Sequence, residues 1–416
     1  MKKRILALSL AAAMVVGALA SCTKTVEPAP SSAVEARDIT LTLWGSEGDN
    51  AFLKEVSAEW AKAYADENED VKSVTVDVQI KGEDVAGNDA LNDIEAAADI
   101  FGVANDQLSG LSAANAIYKM PAEIVDQIKA VVGDASIAST LCNGEYYGFP
   151  YAPNTAEILF YNKTLYTEDE VKDLGAMLEK QLDGGATNLI ADVNSAWNSM
   201  TWLATAGAEL FTGGDKTVNT LNKTEVTDML VWLQEQVNAK KIVDTDSAED
   251  AAALLKEGKA GALFYGAWAK GNFSDALGEN YGVAELPSLN GKHLTCFGGS
   301  KLLVLNATTK EPEAALALAQ YIISEDSQLK RFKDVGQTPT AVNLANNADV
   351  KADPAVAAEV AQGAYTITNN PLNNDAKYWD LEAAVMNDVY NGKITGAEAI
   401  QAALDQMVAD MTANLG

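Results

Sequence analysis

Three short loops and two helix starts concentrate the side chains that could engage a ligand. Gly45 to Asn50 holds Glu47 and Asp49, Ala104 to Leu108 holds Asn105, Asp106 and Gln107, and Gly266 to Ala269 holds Trp268. Trp197 opens a helical pattern after a polar stretch, and Trp379 follows Asn373-Asn374-Asp375-Ala376-Lys377-Tyr378. Carboxylates and amides accept or share hydroxyl hydrogens, and bonds to an ionised acceptor are the stronger ones. Flat indole faces cover the C–H faces of a pyranose ring with large contact area and few rotatable bonds. Such a set suits a neutral, polyhydroxylated ligand.

Each position also has a purely structural use. Trp60 and Trp232 fall on apolar helix stripes, Trp44 ends a strand and Trp202 sits mid-helix beside Leu203, so these four are expected in the core. Trp268 instead follows a glycine at a strand end, where a core aromatic would leave the sheet, and ligand contact is expected there. The same reasoning extends to Trp197 and Trp379. Asp49 could equally cap a helix beginning near Ala51. A glycosidase needs two carboxyl groups roughly 5 to 10 Å apart. Nothing singles out such a pair among 59 acidic residues, so a secreted hydrolase is the weaker reading.

The elements that must hold these loops alternate. Ile39 to Trp44 and Val74 to Ile80 are period-two strands, and Ile100 to Val103 is a short buried one. Phe52, Val56, Trp60 and Tyr64 mark an amphipathic helix between the first two, and Leu91, Ile94 and Ala98 mark another before the third. Farther on, Ile158 to Tyr161, Ala260 to Tyr265 and Lys301 to Leu305 are strand-like. Helical patterns cover Ala196–Ala206, Thr224–Ala239, Glu249–Lys256, Glu313–Ser324 and Ala397–Asn414. Alternation of this kind predicts an α/β fold with largely parallel sheets. Open sheets bind ligands at the carboxyl ends of their strands, which is where the three loops fall.

The N-terminus sets the compartment. Lys2, Lys3 and Arg4 precede an apolar run from Ile5 to Leu19, and Leu19-Ala20-Ser21-Cys22 closes it. That is the pattern of a bacterial lipoprotein leader, with residues 1–21 removed and Cys22 acylated. The run is shorter than the ~20 residues of a membrane span. Residues 22–37 carry proline, serine and small residues without apolar period and are expected to be a flexible tether. The membrane is thus contacted by a lipid anchor only, at the outer face of the cell membrane. A formal net charge of -29 over 416 residues excludes nucleic acid as a partner and disfavours anionic lipid. Cys142 and Cys296 are expected as buried thiols rather than a disulfide framework. With His293 the single histidine and no nucleotide fingerprint, no metal and no cofactor are expected.

Longer stretches carry a family resemblance. LLKEGKAGALFYGAW (Leu254–Trp268), YGVAELPSLNG (Tyr281–Gly291), ADIFGVANDQLSGL (Ala98–Leu111) and GEYYGFPYAPNTAEILFYNKTL (Gly144–Leu165) resemble the maltose/maltodextrin-binding proteins of ABC importers, in matching order from Ile39 onward. The resemblance implies a two-lobed, periplasmic-binding-protein-like fold of type II, each lobe an α/β sandwich, joined by hinge strands. One lobe would comprise residues 38–153 and 301–337, the other 154–300 and 338–416, with crossings near 153–157, 297–302 and 337–341.

By position in that family, Trp268, Trp197 and Trp379 match sugar-stacking aromatics of one lobe. Glu47, Glu83 and Asp106 match hydroxyl-binding acids of the other, and Tyr151 and Asn154 fall at the first crossing beside ligand contacts. Implied partners are a maltodextrin-like oligosaccharide and the membrane permease subunits of an importer, with the chain acting as a monomer. Three departures put maltose itself in question. Val103 stands where the family has a stacking tryptophan, Gln107 where it has an arginine, and Asn154 about where it has a glutamate. Rival readings are a protein of the same fold that binds a polyamine, and a surface adhesion lipoprotein that keeps the fold without the ligand.

Overall fold

The structure is a computed structural model that describes residues 36–416, apart from 154, 156 and 246. The leader, Cys22 and Asn154 lie outside the described residues. Twelve strands frame the crevice. They are β1 Arg37–Gly45, β2 Val71–Ile80, β3 Ile100–Ala104, β4 Phe149–Pro153, β5 Ile158–Asn162, β6 Thr187–Ile190, β7 Ile242–Val243, β8 Ala260–Tyr265, β9 Tyr281–Ala284, β10 Cys296–Gly298, β11 Ser300–Leu305 and β12 Thr366–Thr368.

Two five-stranded sheets result. The first runs β2-β1-β3-β11-β4, with β1 parallel to β2 and β3, and β11 antiparallel to both of its neighbours. The second runs β9-β5-β8-β6-β7, parallel among β8, β6 and β7 and antiparallel at β5. Each sheet is covered on both faces. Period-two alternation along β11 sends Leu303 and Leu305 to one apolar cluster and Leu302 and Val304 to the other. In the second sheet, β5 sends Leu159 and Tyr161 to one side and Ile158 and Phe160 to the other. This is a two-lobed α/β fold, as the sequence predicts.

The chain passes from the first sheet to the second between Pro153 and Ile158, and returns between Gly298 and Ser300. Gly299 makes that return. A Cβ there would come within 2.4 Å of Asn105 Oδ1, so glycine leaves room for the Asn105 side chain that bonds across the crossing. Helix Glu325–Val335 packs on the first lobe, with Arg331 and Phe332 buried, and ends at Gly336 in a left-handed cap (φ 77°). Beyond it, Ala355 and Ala358 of helix Pro354–Gln362 join an apolar cluster of the second sheet.

The expected helices hold closely, from Ala196–Thr205 to Ala397–Asn414. The one expected through Leu91, Ile94 and Ala98 is shorter, spanning Ala86–Asn92. Ile94 and Ala97 beyond it lend their carbonyls to the Asn306 amide at 2.9 and 3.3 Å, which draws the segment out of helical register. Cys142 and Cys296 are buried without a disulfide between them. No helix among the described residues is long and apolar enough to cross a membrane.

Candidate functional site

Three strands end in one way, and two of them, β3 and β8, feed the site. β1, β3 and β8 each end in a single 3-10 turn, Glu47–Asp49, Asn105–Gln107 and Ala267–Ala269, that leads directly into a helix.

Between the lobes lies a cavity of about 680 Å³, within the range of small-molecule sites. Glu83, Asp106, Gln107 and Lys301 line it from the first lobe. Trp197, Trp268 and Trp379 line it from the second, with Asn369 and Asn374. Acids and amides therefore face indoles across the crevice.

Asp106 is the most telling acid. Its residue is buried and its Oδ1 has no hydrogen-bond partner among the described residues. Burial pushes its carboxyl up to about 6, against the opposing pull of Asn369, Asn374 and Trp379. Asp106 is itself part of the cavity lining, which sets a carboxyl with unmet acceptor capacity beside the space a ligand hydroxyl would occupy. Gln107 resembles it. The Gln107 Nε2 donates to the Glu83 carbonyl at 2.5 Å, while its buried Oε1 has no partner among the described residues.

Glu83 is held from behind. The hydroxyl of buried Tyr151 donates to its carboxylate, and Lys301 Nζ lies 3.8 Å away. Tyr151 is accordingly one step from the cavity, a support for Glu83 rather than part of the wall. Lys301 also sits 5.9 Å from the Trp268 ring centroid, so the cation spans the space between the acid and the indole.

Trp197 and Trp379 form a platform. Their ring centroids are 6.2 Å apart at 43°, and Phe297 stacks behind Trp197 at 5.3 Å and 18°. Trp379 Nε1 donates to Asn374 Oδ1 at 2.6 Å, and the Asn374 amide donates to the Asp106 carbonyl at 3.0 Å. Asn105 Nδ2 bonds the Asn369 carbonyl at 2.8 Å, and Ser109 Oγ bonds Asp375 at 3.0 Å. These bonds tie one lobe to the other across the crevice.

Besides Tyr151, two more expected contacts fall outside the cavity lining. Asp49 neither caps its helix nor faces the cavity. Its carboxylate is buried and takes Arg331 Nε at 2.8 Å and Nη2 at 2.6 Å. Burial raises its pKa, but the guanidinium outweighs burial and holds the carboxyl below its ordinary value. Glu47 is exposed on its turn and lies outside the cavity lining. The turn hands its buried place to Asp49, because a partner cation waits there. Val103 is a core residue, wholly buried against Leu302 and Val304. The four tryptophans expected in the core pack there: Trp44, Trp60 and Trp202 are buried and Trp232 packs partly buried against the cluster.

Lys301, Asn369 and Asn374 were not predicted as site residues. Lys301 is the second residue of β11, which runs antiparallel to β3, and it pairs with Ala104, so the start of β11 lies where parallel strands end. A pattern reading that looks only at strand ends passes over it.

Fold and crevice together define a two-lobed binding protein. The chain belongs to the bacterial extracellular solute-binding proteins, whose family model matches residues 59–358. It is 26% identical over 402 residues to a maltooligosaccharide ABC transporter solute-binding lipoprotein of Streptococcus pneumoniae, covering 90% of this chain and 89% of that one. To the galactooligosaccharide-binding protein of Bacillus subtilis it is 25% identical over 321 residues, 74% of this chain and 75% of that one. A solved structure with acarbose superposes with a TM-score of 0.82 at 30% identity, covering 91% of this chain and 99% of that one. A maltodextrin-binding protein of L. casei without ligand gives 0.79 at 26%, with 90% and 98% covered.

Proposed function

We propose that the chain captures a maltodextrin-like oligosaccharide between its lobes and delivers it to the permease of an ABC importer. One observation carries this reading: the acids Glu83 and Asp106, with Gln107, line one cavity together with the indoles of Trp197, Trp268 and Trp379. A sugar has donors around its rim and C–H surfaces on its faces, and it satisfies both walls at once. Relatives named for maltooligosaccharide and galactooligosaccharide support the ligand class.

Capture is by closure. The lobes correspond to residues 38–153 with 301–337, and 154–300 with 338–416. A ligand contacting both shifts the open–closed equilibrium by its differential affinity for the closed form. Moving it from 1:99 to 99:1 requires about 5.5 kcal/mol, which stacked rings and charge-assisted bonds can supply. The role is binding, without turnover. The mature chain is tethered through acylated Cys22, works as a monomer and meets the permease at the membrane's outer face. Asn154, at the first crossing, is a further proposed contact.

Calorimetry with maltotetraose tests the reading. Trp268→Ala should weaken binding at least about tenfold with the fold intact, a loss of roughly 1.4 kcal/mol. Unchanged affinity would remove Trp268 from the site, and new reducing ends after long incubation would make the protein a hydrolase. Stabilisation by polyamines but not by sugars would assign it another solute.

A further inference from the structure

Trp268 borders a second cavity as well as the crevice. This one is about 510 Å³ and is lined in addition by Ser247, Glu249, Tyr265 and Asn272. Trp268 is 42% exposed, whereas Trp197 and Trp379 are packed against the core cluster of their lobe. An indole that open, shared by two cavities, presents contact area to both.

Its neighbours repeat the chemistry of the crevice. The Tyr265 ring lies 6.1 Å from Trp268 at 59°, which gives the cavity an angled aromatic wall. Phe273, wholly buried, holds Tyr265 edge-on at 5.4 Å. Glu249 sits in the first turn of helix Ala248–Lys256, whose cap is Ser247. Its carboxylate oxygens take the Ser247 hydroxyl and the Asn272 amide at 3.5 Å each, the outer limit for a hydrogen bond. Acceptor capacity is left for stronger donors. Among the described residues no basic side chain lines this space. Two ring faces, one carboxylate, one amide and one hydroxyl thus converge on a cavity that shares Trp268 with the crevice.

We propose that this cavity is an outer subsite, which takes the hexose units of an oligosaccharide that runs on past Trp268. The inference rests on the reading of the crevice as an oligosaccharide site. It implies that the ligand is longer than the crevice alone accommodates, with one end leaving over Trp268 toward Glu249. The inner units would be gripped between lobes and the outer ones held by the second lobe only.

Titration calorimetry of the mature protein with maltose and with maltoheptaose tests it, on wild type and on Glu249→Gln, Asn272→Ala and Tyr265→Ala. Maltoheptaose affinity should fall about fivefold or more in each variant, while maltose affinity stays within twofold of wild type. Glu249→Gln and Asn272→Ala change exposed side chains and keep the test valid should Tyr265→Ala fail to fold. Equal losses for both sugars, or none for the longer one, overturn the outer subsite and leave the crevice reading standing. If wild type binds neither sugar, the crevice reading falls and takes the subsite with it.

Discussion

Ser199 Oγ donates to Glu382 Oε1 at 2.6 Å, with both residues wholly buried. The bond joins helix Ala196–Thr205, which carries Trp197, to helix Tyr378–Tyr390, which carries Trp379. A second clasp runs beside it, from the Tyr378 hydroxyl to the Ala196 carbonyl at 2.7 Å. The indole platform is thereby fixed from beneath, two and three residues along from its rings.

Removing that acid should loosen the platform. Glu382→Ala leaves the Ser199 hydroxyl without its partner and should cost about 2 kcal/mol of stability. It should also weaken the far-ultraviolet dichroism of the coupled Trp197–Trp379 pair. Glu382→Gln keeps an acceptor and should restore both. Burial, then Asp192, pushes the Glu382 carboxyl up to about 8, with Ser199 opposing. The native state therefore holds a proton that an unfolded glutamate loses near ~4.3, so this contribution to stability falls as pH rises from there to about 8. Chemical denaturation across that range should show a shallower slope in Glu382→Gln. An unchanged slope would mean that Glu382 is ionised in the native state.

Asp49 and Arg331 make a test of structure without ligand contact. Both side chains are almost fully buried, so Asp49→Ala strands a guanidinium and should destabilise by about 3–5 kcal/mol. Replacing both partners, with Asp49→Ala and Arg331→Met, should recover most of the loss. Sugar affinity at a temperature where the variants remain folded should stay within about twofold of wild type, since neither residue lines the crevice. A large affinity loss in the double variant would put Asp49 back among the ligand contacts.

Asp106 predicts a pH dependence of binding. A ligand hydroxyl that donates to the ionised carboxylate favours the charged form and lowers its pKa from about 6. Affinity should accordingly fall as pH drops through 6, with proton uptake when sugar dissociates below that value. Asp106→Asn should be weaker at neutral pH and nearly flat with pH. Glu359, also raised to about 6 by burial, is bonded to Thr338 away from the cavity lining, and the asparagine variant separates the two. An Asp106→Asn profile as steep as wild type would sink the assignment.

The periodic parts of the fold were open to sequence reading because their signal is local. β8 and the terminal helix Ala397–Asn414 match the expected bounds residue for residue, since apolar spacing alone defines them. Trp268 was legible for a related reason: an indole one turn beyond a strand end has no sheet to bury it. Asp49 was not, because the cation that claims it is 282 residues away in sequence. The support of Tyr151 for Glu83 and the reach of Lys301 depend likewise on strand neighbours that only the folded sheet brings together.

The place of β11 has a consequence for biogenesis. It lies between β3 and β4, so the first sheet stays in two pieces until residues 300–305 arrive from beyond the whole central part of the second lobe. Contacts this distant form late and slowly. An emerging chain thus has no stable amino-terminal half to jam a narrow secretion channel, and its architecture completes itself only after nearly three quarters of the polypeptide is across.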